Sequence, residues 1–287
     1  MSAAGLASAA DRTSTRGTLA EDSVRQVLEL LNRRFGFSFR DSFGQMARTR
    51  LGRRMTDLGL ATLQDYYYRL LYDPDADTEF GHLFDVLSNN ETYFFREETQ
   101  IRTFAEEIVP AGGHTPGARV RAWSAGCSSG EEPYSLAIAV LEHLGGRTDC
   151  VEIFGSDYSS KVLEQARRGV YGAFSFRNLS PAMRDRYFEA QADGRHRINP
   201  DVRRLVQFGK CNLLGQAGEL PLVKFDAIFC RNVLMYFDRD ARRRVLDLFH
   251  DRLAPGGYLF LGHSESLLDL SDRFEVANLV NDVAYRR

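Results

Sequence analysis

Apolar residues recur at helical spacing through the first part of the chain, and strand-like runs replace them further on. Val24, Val27, Leu28 and Leu31 mark a helix over Glu21 to Phe35, closed by Gly36. Ala47, Leu51, Met55 and Leu58 form the inward stripe of a second, over about 41–58, which Gly59 ends. Thr62 opens a third through Leu63, Tyr66, Tyr67, Leu70 and Leu71, and Asp73-Pro74 closes it. Phe80, Leu83, Phe84 and Leu87 carry a fourth from about Asp77. Helices without a strand predict an all-α N-terminal domain over 21–90. Residues 1–20, rich in Ala, Ser, Thr and Gly, read as a disordered tail.

Residues 97–109 are again helical in pattern, on Ile101, Phe104 and Ile108, and run into a Pro-Gly-rich break from Pro110 to Gly117. The domain boundary is expected there, with 91–117 a linker that carries a loop and a helix. Beyond it, Arg119–Ala125, Val151–Asp157, Leu205–Cys211, Phe225–Asn232 and Tyr258–Gly262 read as buried strands alternating with helices. Phe274–Leu279 and Val283–Arg287 add a hairpin that turns at Asn281-Asp282. The pattern predicts an α/β domain over 118–287 with a seven-strand, mostly parallel, Rossmann-like sheet. Residues 188–208 interrupt the alternation with Asp-Gly and Asn-Pro turn signals, as a small antiparallel β excursion. It fits either a partner or substrate contact or a passive long hairpin.

A parallel sheet points its carboxyl ends to one edge, where ligands of open α/β folds bind; Gly126, Asp157, Asn212 and Asn232 all fall there. The small-residue turn Ser124-Ala125-Gly126-Cys127-Ser128-Ser129-Gly130 precedes a helix with Pro133 in its first turn. Such a turn can bring backbone N–H groups against a nucleotide-like ligand, or serve the fold alone. It lacks the full G-x-G-x-x-G spacing, and Glu131 and Glu132 stand where a pyrophosphate would lie. Negative charge favours a cationic ligand there, so S-adenosylmethionine suits the turn better than NAD. Asp157 fits a ribose-hydroxyl acceptor or a cap for the helix that follows. The stretch SNNETYFFR (88–96) reads as an interdomain loop anchored by Phe94 and Phe95, or as a loop over the ligand presenting Asn90, Thr92 and Arg96.

Composition narrows the class. Of 287 residues, 44% are hydrophobic and 26% charged, the balance of a globular protein without a membrane-spanning run. The N-terminus lacks the basic start and apolar centre of a secretory signal. Cys127, Cys150, Cys211 and Cys230 form no Cys-x-x-Cys pair and read as buried free thiols, and the six histidines show no ligand spacing. A cytoplasmic, metal-free protein is expected. A net charge of −2 gives no argument for nucleic acid or an anionic membrane. Arg48, Arg50, Arg53 and Arg54 on the second helix are either a solvated face or a docking surface for an acidic protein.

Five blocks together resemble the CheR family of chemoreceptor glutamate methyltransferases: NNETYFFRE (89–97), WSAGCSSGEEPYS (123–135), GSDYSSKVLEQARRGVY (155–171), FDAIFCRNVLMYFD (225–238) and LAPGGYLFLGHSES (253–266). The resemblance implies a class I methyltransferase sheet behind the helical domain, S-adenosylmethionine as donor and S-adenosylhomocysteine as product. It implies, as substrate, glutamates on the cytoplasmic helices of methyl-accepting receptors. Asn90, Thr92, Arg96, Gly126, Glu132, Asp157, Asn212, Leu213, Asn232 and Val233 match donor-contacting positions, and Arg96 and Tyr236 are candidates near the transferred methyl. The family's tethered members carry an extended, glycine-containing loop that grips a receptor C-terminal pentapeptide. The loop at Asp193-Gly194-Arg195-His196 is short, so a tether-independent enzyme, monomeric and not inserted in a membrane, is expected.

Overall fold

A computed structural model describes residues 8–39, 41–112, 119–145, 150–215 and 218–287, with side chains from 22 onward apart from 41 and 42. The chain forms two compact units, Met1–Ser88 and Asn89–Arg287. The boundary therefore lies well before the Pro-Gly break. The helix placed in the linker instead buries Ile101, Phe104, Ala105 and Ile108 in the core of the second unit, which is why the segment belongs there.

The first unit is all helical: α1 (Ser8–Phe35), α2 (Asp41–Asp57), α3 (Leu63–Tyr72) and α4 (Ala76–Leu87). Helical backbone of α1 begins at Ser8, inside the stretch read as a disordered tail; residues 1–7 lie outside the described residues. That tail's alanines are strong helix formers and extend the helix started by the apolar stripe. Thr62 caps α3 by accepting from the Asp65 N–H. Val27, Leu31, Phe35, Leu51, Tyr66, Leu70 and Leu83 make the core.

Two of the four α2 arginines are committed inside this unit. Arg54 grips Glu79 with two bonds, Nε–Oε1 at 2.9 Å and Nη2–Oε2 at 2.6 Å, and the Tyr66 hydroxyl donates to Oε1 at 2.5 Å. Arg50 donates to the carbonyls of Val86, Leu87 and Ser88, closing the C-terminus of α4 as a cation should. Arg48 and Arg53 alone of the set are exposed.

The second unit opens with α5 (Glu98–Thr103), which continues through a π-helical turn at Phe104–Ile108 into α6 (Val109–Gly112). Then follow β1 (Val120–Ala125), α7 (Glu131–His143), β2 (Val151–Asp157), α8 (Ser160–Arg168) and β3 (Val170–Tyr171). Next come α9 (Pro181–Tyr187), β4 (Phe188–Ala190), β5 (His196–Ile198), α10 (Pro200–Arg203), β6 (Val206–Lys210), β7 (Phe225–Cys230) and α11 (Arg239–Arg252). The chain ends in β8 (Leu253–Leu261), β9 (Glu275–Asn278) and β10 (Val283–Arg286).

The main sheet has seven strands in the order β6-β2-β1-β7-β8-β10-β9, parallel from β6 to β8, with β10 antiparallel to β8 and to β9. The predicted sheet is therefore present. Strand β8 begins at Leu253, before Pro255-Gly256-Gly257, because residues 254–257 bulge between the pairs Phe225–Leu253 and Ala227–Tyr258. The small excursion is a three-stranded sheet, β3-β5-β4, so its third strand comes from before the expected 188–208 segment. Ser180 and Asp238 cap α9 and α11 as their sequence positions predict.

Trp123 anchors the sheet. It is fully buried, packs edge-on against Phe249 of α11, and donates its indole N–H to Ser156 on β2 at 2.9 Å. All four cysteines are free and buried. Among the described residues, no helix is long and apolar enough to cross a membrane.

Candidate active site

The chain leaves β1 toward β2 and β6 on one side, and later fills β7 and β8 on the other. The turn after β1 thus sits where strand order reverses, the position at which open α/β sheets bind ligands. Gly126 has φ +82° there, and a Cβ on it would lie 2.6 Å from Val233 Cγ2. Only glycine lets the β1 and β7 turns meet so closely. Gly130, with φ +93°, likewise faces Ala166, where a Cβ would come within 2.8 Å.

Asp157 ends β2 with a buried side chain. Its Oδ2 accepts the Ser128 N–H at 3.0 Å and its Oδ1 accepts the Ser159 N–H at 2.9 Å. The α8 cap is Ser159, which accepts from Val162, so Asp157 joins the β1 turn to the β2 turn rather than capping the helix. Asn90 lies over the same turn, its carbonyl accepting the Ser128 hydroxyl at 3.0 Å, with Thr92 half-buried beyond it on that loop. Of the two readings of 88–96, Phe94 and Phe95 are indeed buried anchors, yet the loop also overlies the turn.

Glu132 is held from two sides: Oε1 accepts the Ser124 hydroxyl at 2.6 Å, and Oε2 faces Arg231 Nη1 at 3.2 Å. Burial pushes its pKa up, against the pull of Arg231. Glu131 is fully buried, accepting from the hydroxyls of Ser129 and Ser175, and burial raises its pKa against those bonds and the pull of Arg177. It tethers the turn to the 173–176 segment.

Sequence reasoning missed the organising cation, Arg231. Its side chain, 2% exposed, reaches Glu132, Glu97 at 3.2 Å, and the carbonyl of Arg96. One guanidinium thereby ties the 90–97 loop to α7 and to the end of β7. The signal available was a charged residue directly after an apolar strand run. Glu265 was missed as well. It accepts the N–H groups of Asn232 at 2.8 Å, Gly262 at 2.9 Å and Met235 at 3.1 Å, and burial raises its pKa. Those bonds hold Asn232 at φ +60° and set the short 3₁₀ turn (Leu234–Tyr236) that carries Tyr236.

Asn212 and Leu213 follow β6, half-buried. Asn212 Oδ1 accepts the Leu214 N–H at 3.0 Å, and the preceding Cys211 N–H bonds to the Asp157 carbonyl at 3.0 Å. Arg96 is half-buried, donating to its own loop at the Glu91 carbonyl. The strand-end residues are therefore brought together, whereas Arg48, Arg50, Arg53 and Arg54 belong to the other unit. Two clefts, of about 430 and 390 Å³, lie on the small-sheet side and contain none of the candidate site residues. Converging polar groups mark this site.

The chemistry of the set is that of a cationic, hydroxyl-rich ligand. Glu97, Glu132 and Asp157 present three carboxylates against the guanidiniums of Arg96 and Arg231, and Arg231 is already paired. A diphosphate would meet net negative charge here. S-adenosylmethionine fits, with a sulfonium, an ammonium and two ribose hydroxyls.

Comparison with known proteins agrees with the geometry. Residues 22–88 match the model of the CheR methyltransferase all-alpha domain, and 90–282 match that of the CheR methyltransferase SAM binding domain. Chemotaxis protein methyltransferase 2 of Vibrio cholerae is 36% identical over 252 residues, 87% of each chain. Chemotaxis protein methyltransferase 1 of Pseudomonas aeruginosa is 36% identical over 250 residues, 84% of this chain and 89% of that one. The chemotaxis protein methyltransferase of Escherichia coli K12 is 35% identical over 262 residues, 90% of this chain and 89% of the other. A helical unit, a switch-point cradle of carboxylates and likeness along nearly the whole chain converge on one conclusion: this chain belongs to the CheR methyltransferase family.

Proposed function

We propose that the protein methylates glutamate side chains on the cytoplasmic helices of chemoreceptors, using S-adenosylmethionine and working as a monomer in the cytoplasm. The observation that carries this reading is the carboxylate cradle at the switch point, with buried Asp157 and half-buried Glu132 around Gly126. In it, Asp157 accepts the ribose hydroxyls, Glu132 holds the methionyl ammonium and Arg96 its carboxylate. Asn90 and Thr92 close over the donor, Asn212 and Leu213 flank the adenine, and Asn232 and Val233 line the cavity at the end of β7.

The bound donor supplies an electrophilic methyl group and leaves as S-adenosylhomocysteine, the S–CH₃ electron pair staying on sulfur as a carboxylate oxygen forms the ester bond. A glutamate has a reference pKa of ~4.3 and is already ionised at neutral pH, so no general base is needed. What the chain contributes is alignment and exclusion of water, with Arg96 and Tyr236 beside the reacting groups; such positioning supplies up to ~7–11 kcal/mol. A donor-binding protein without turnover is the rival reading. Tritiated methyl incorporation into a receptor, released by mild base, separates the two. Asp157→Ala should weaken S-adenosylhomocysteine binding more than tenfold in calorimetry, and unchanged affinity would take Asp157 out of the site.

Tether independence is part of the same proposal. Strands β4 and β5 are joined by the tight turn 191–195, closed by Gln191 N–H to the Arg195 carbonyl at 2.8 Å and by Asp193 gripping Arg195. A receptor-tail pentapeptide titrated into the protein should show no binding; micromolar affinity would refute it.

A further inference from the structure

With Arg50 and Arg54 engaged inside the helical unit, α2 offers a macromolecular substrate only Arg48 and Arg53, and a second surface adds to them. One stands beside the donor loop. Each of two aromatic segments, Tyr93-Phe94-Phe95 and Phe174-Ser175-Phe176, buries its later aromatic residues, while its first ring is half-buried in Tyr93 and exposed in Phe174. Phe94 and Phe176 stack in the core with centroids 5.4 Å apart, and the Phe94 N–H bonds to the Ser175 carbonyl at 2.9 Å. The two segments are thus fixed to each other. Between these two first rings lies Arg177, its guanidinium 3.5 Å from the Tyr93 centroid and 4.0 Å from that of Phe174. Glu91 fixes the same guanidinium at 2.8 Å. Arg96 lies on the same ring system, 5.8 Å from the Tyr93 centroid.

We infer that the Phe174–Arg177–Tyr93 stack is the ledge on which the substrate helix rests, an inference that builds on the methyltransferase reading above. Phe174 is 63% exposed, although the residues after it are locked in the core, so its ring is held out rigidly. A guanidinium pinned between two rings and a carboxylate has no charge to spare; its effect is to preorganise aromatic surface. Aromatic and arginine side chains of this kind dominate the energetics of protein contacts. The occupant follows from what the ledge adjoins: Tyr93 and Arg96 belong to the loop over the donor turn, so the segment resting here is the receptor helix that carries the acceptor glutamate, with the glutamate toward the donor site and an aliphatic side chain on Phe174.

The test is steady-state methylation of a purified receptor cytoplasmic fragment by Phe174→Ala and Arg177→Gln, with S-adenosylhomocysteine affinity measured in parallel by calorimetry. Both variants should raise the receptor KM at least fivefold while kcat and product affinity stay within twofold. Leu222→Ala, which removes an equally solvent-facing apolar side chain (91% exposed), should change nothing. An unchanged KM in Phe174→Ala would overturn the ledge alone. Loss of product affinity in step with KM would also overturn it, by making the stack a support of the donor loop. A wild-type protein that binds S-adenosylhomocysteine yet labels no receptor would instead sink the functional reading, and the ledge with it.

Discussion

Arg231→Met is expected to lower methyl transfer by about a hundredfold or more and to weaken product binding in parallel. The buried guanidinium links Glu97, Glu132 and the Arg96 carbonyl, so its removal leaves two carboxylates facing each other without the cation paired to both. Breaking a buried pair from one side costs ~3–5 kcal/mol, and each ~1.4 kcal/mol is a factor of ten. Arg231→Lys should recover part of the loss, because it restores the charge but not the fork that reaches three partners. The pH profile distinguishes positioning from mere stability. Burial already raises the Glu132 pKa and Arg231 opposes it, so in Arg231→Met the carboxyl climbs further. An ammonium needs Glu132 ionised. Residual activity in the variant should therefore rise toward alkaline pH over a range where the wild type is flat. Wild-type turnover in Arg231→Met would remove this residue from the account.

Glu79→Ala should destabilise the helical unit by ~3–5 kcal/mol while product affinity of the folded protein is kept. The carboxylate is 5% exposed and takes two bonds from Arg54 and one from Tyr66, so its loss strands a half-buried guanidinium and a buried hydroxyl. Burial pushes the Glu79 pKa up, but Arg54 and Tyr66 outweigh it and hold it below the usual carboxylate value. A depressed acid contributes stability that is complete above its unfolded pKa, near ~4.3, and is lost as pH falls through the lower folded value. Urea unfolding followed between pH 7 and pH 3 should show that loss in the wild type and a flatter profile in the variant. Equal stability of the two proteins would contradict the triad. The same geometry means that neutralising Arg54 perturbs folding before it perturbs any receptor contact, whereas Arg48 and Arg53 can be changed without that effect.

The strand ends were legible because each strand is an apolar run stopped by a small or polar residue. Gly126, Asp157, Asn212 and Asn232 follow from that pattern plus the rule that parallel strands share an edge. Arg231 was not legible as a keystone, since its partner Glu97 lies 134 residues away and only the fold brings them together. Spacing placed the α2 arginines near each other, while tertiary contacts with Glu79 and the end of α4, which spacing does not show, engage two of them. Strand β3 has two residues, too few for a periodic signal. The boundary was misjudged because a Pro-Gly break looks like a linker even when the helix before it plugs a hydrophobic core.

The four enclosed thiols carry a practical corollary. Burial raises the Cys127 pKa well above that of a free thiol, and the side chain sits inside the very turn that meets Asp157. An alkylating reagent reaches that sulfur only during an opening of the turn, so the rate of its modification clocks how often the donor cradle breathes, with no label engineered in.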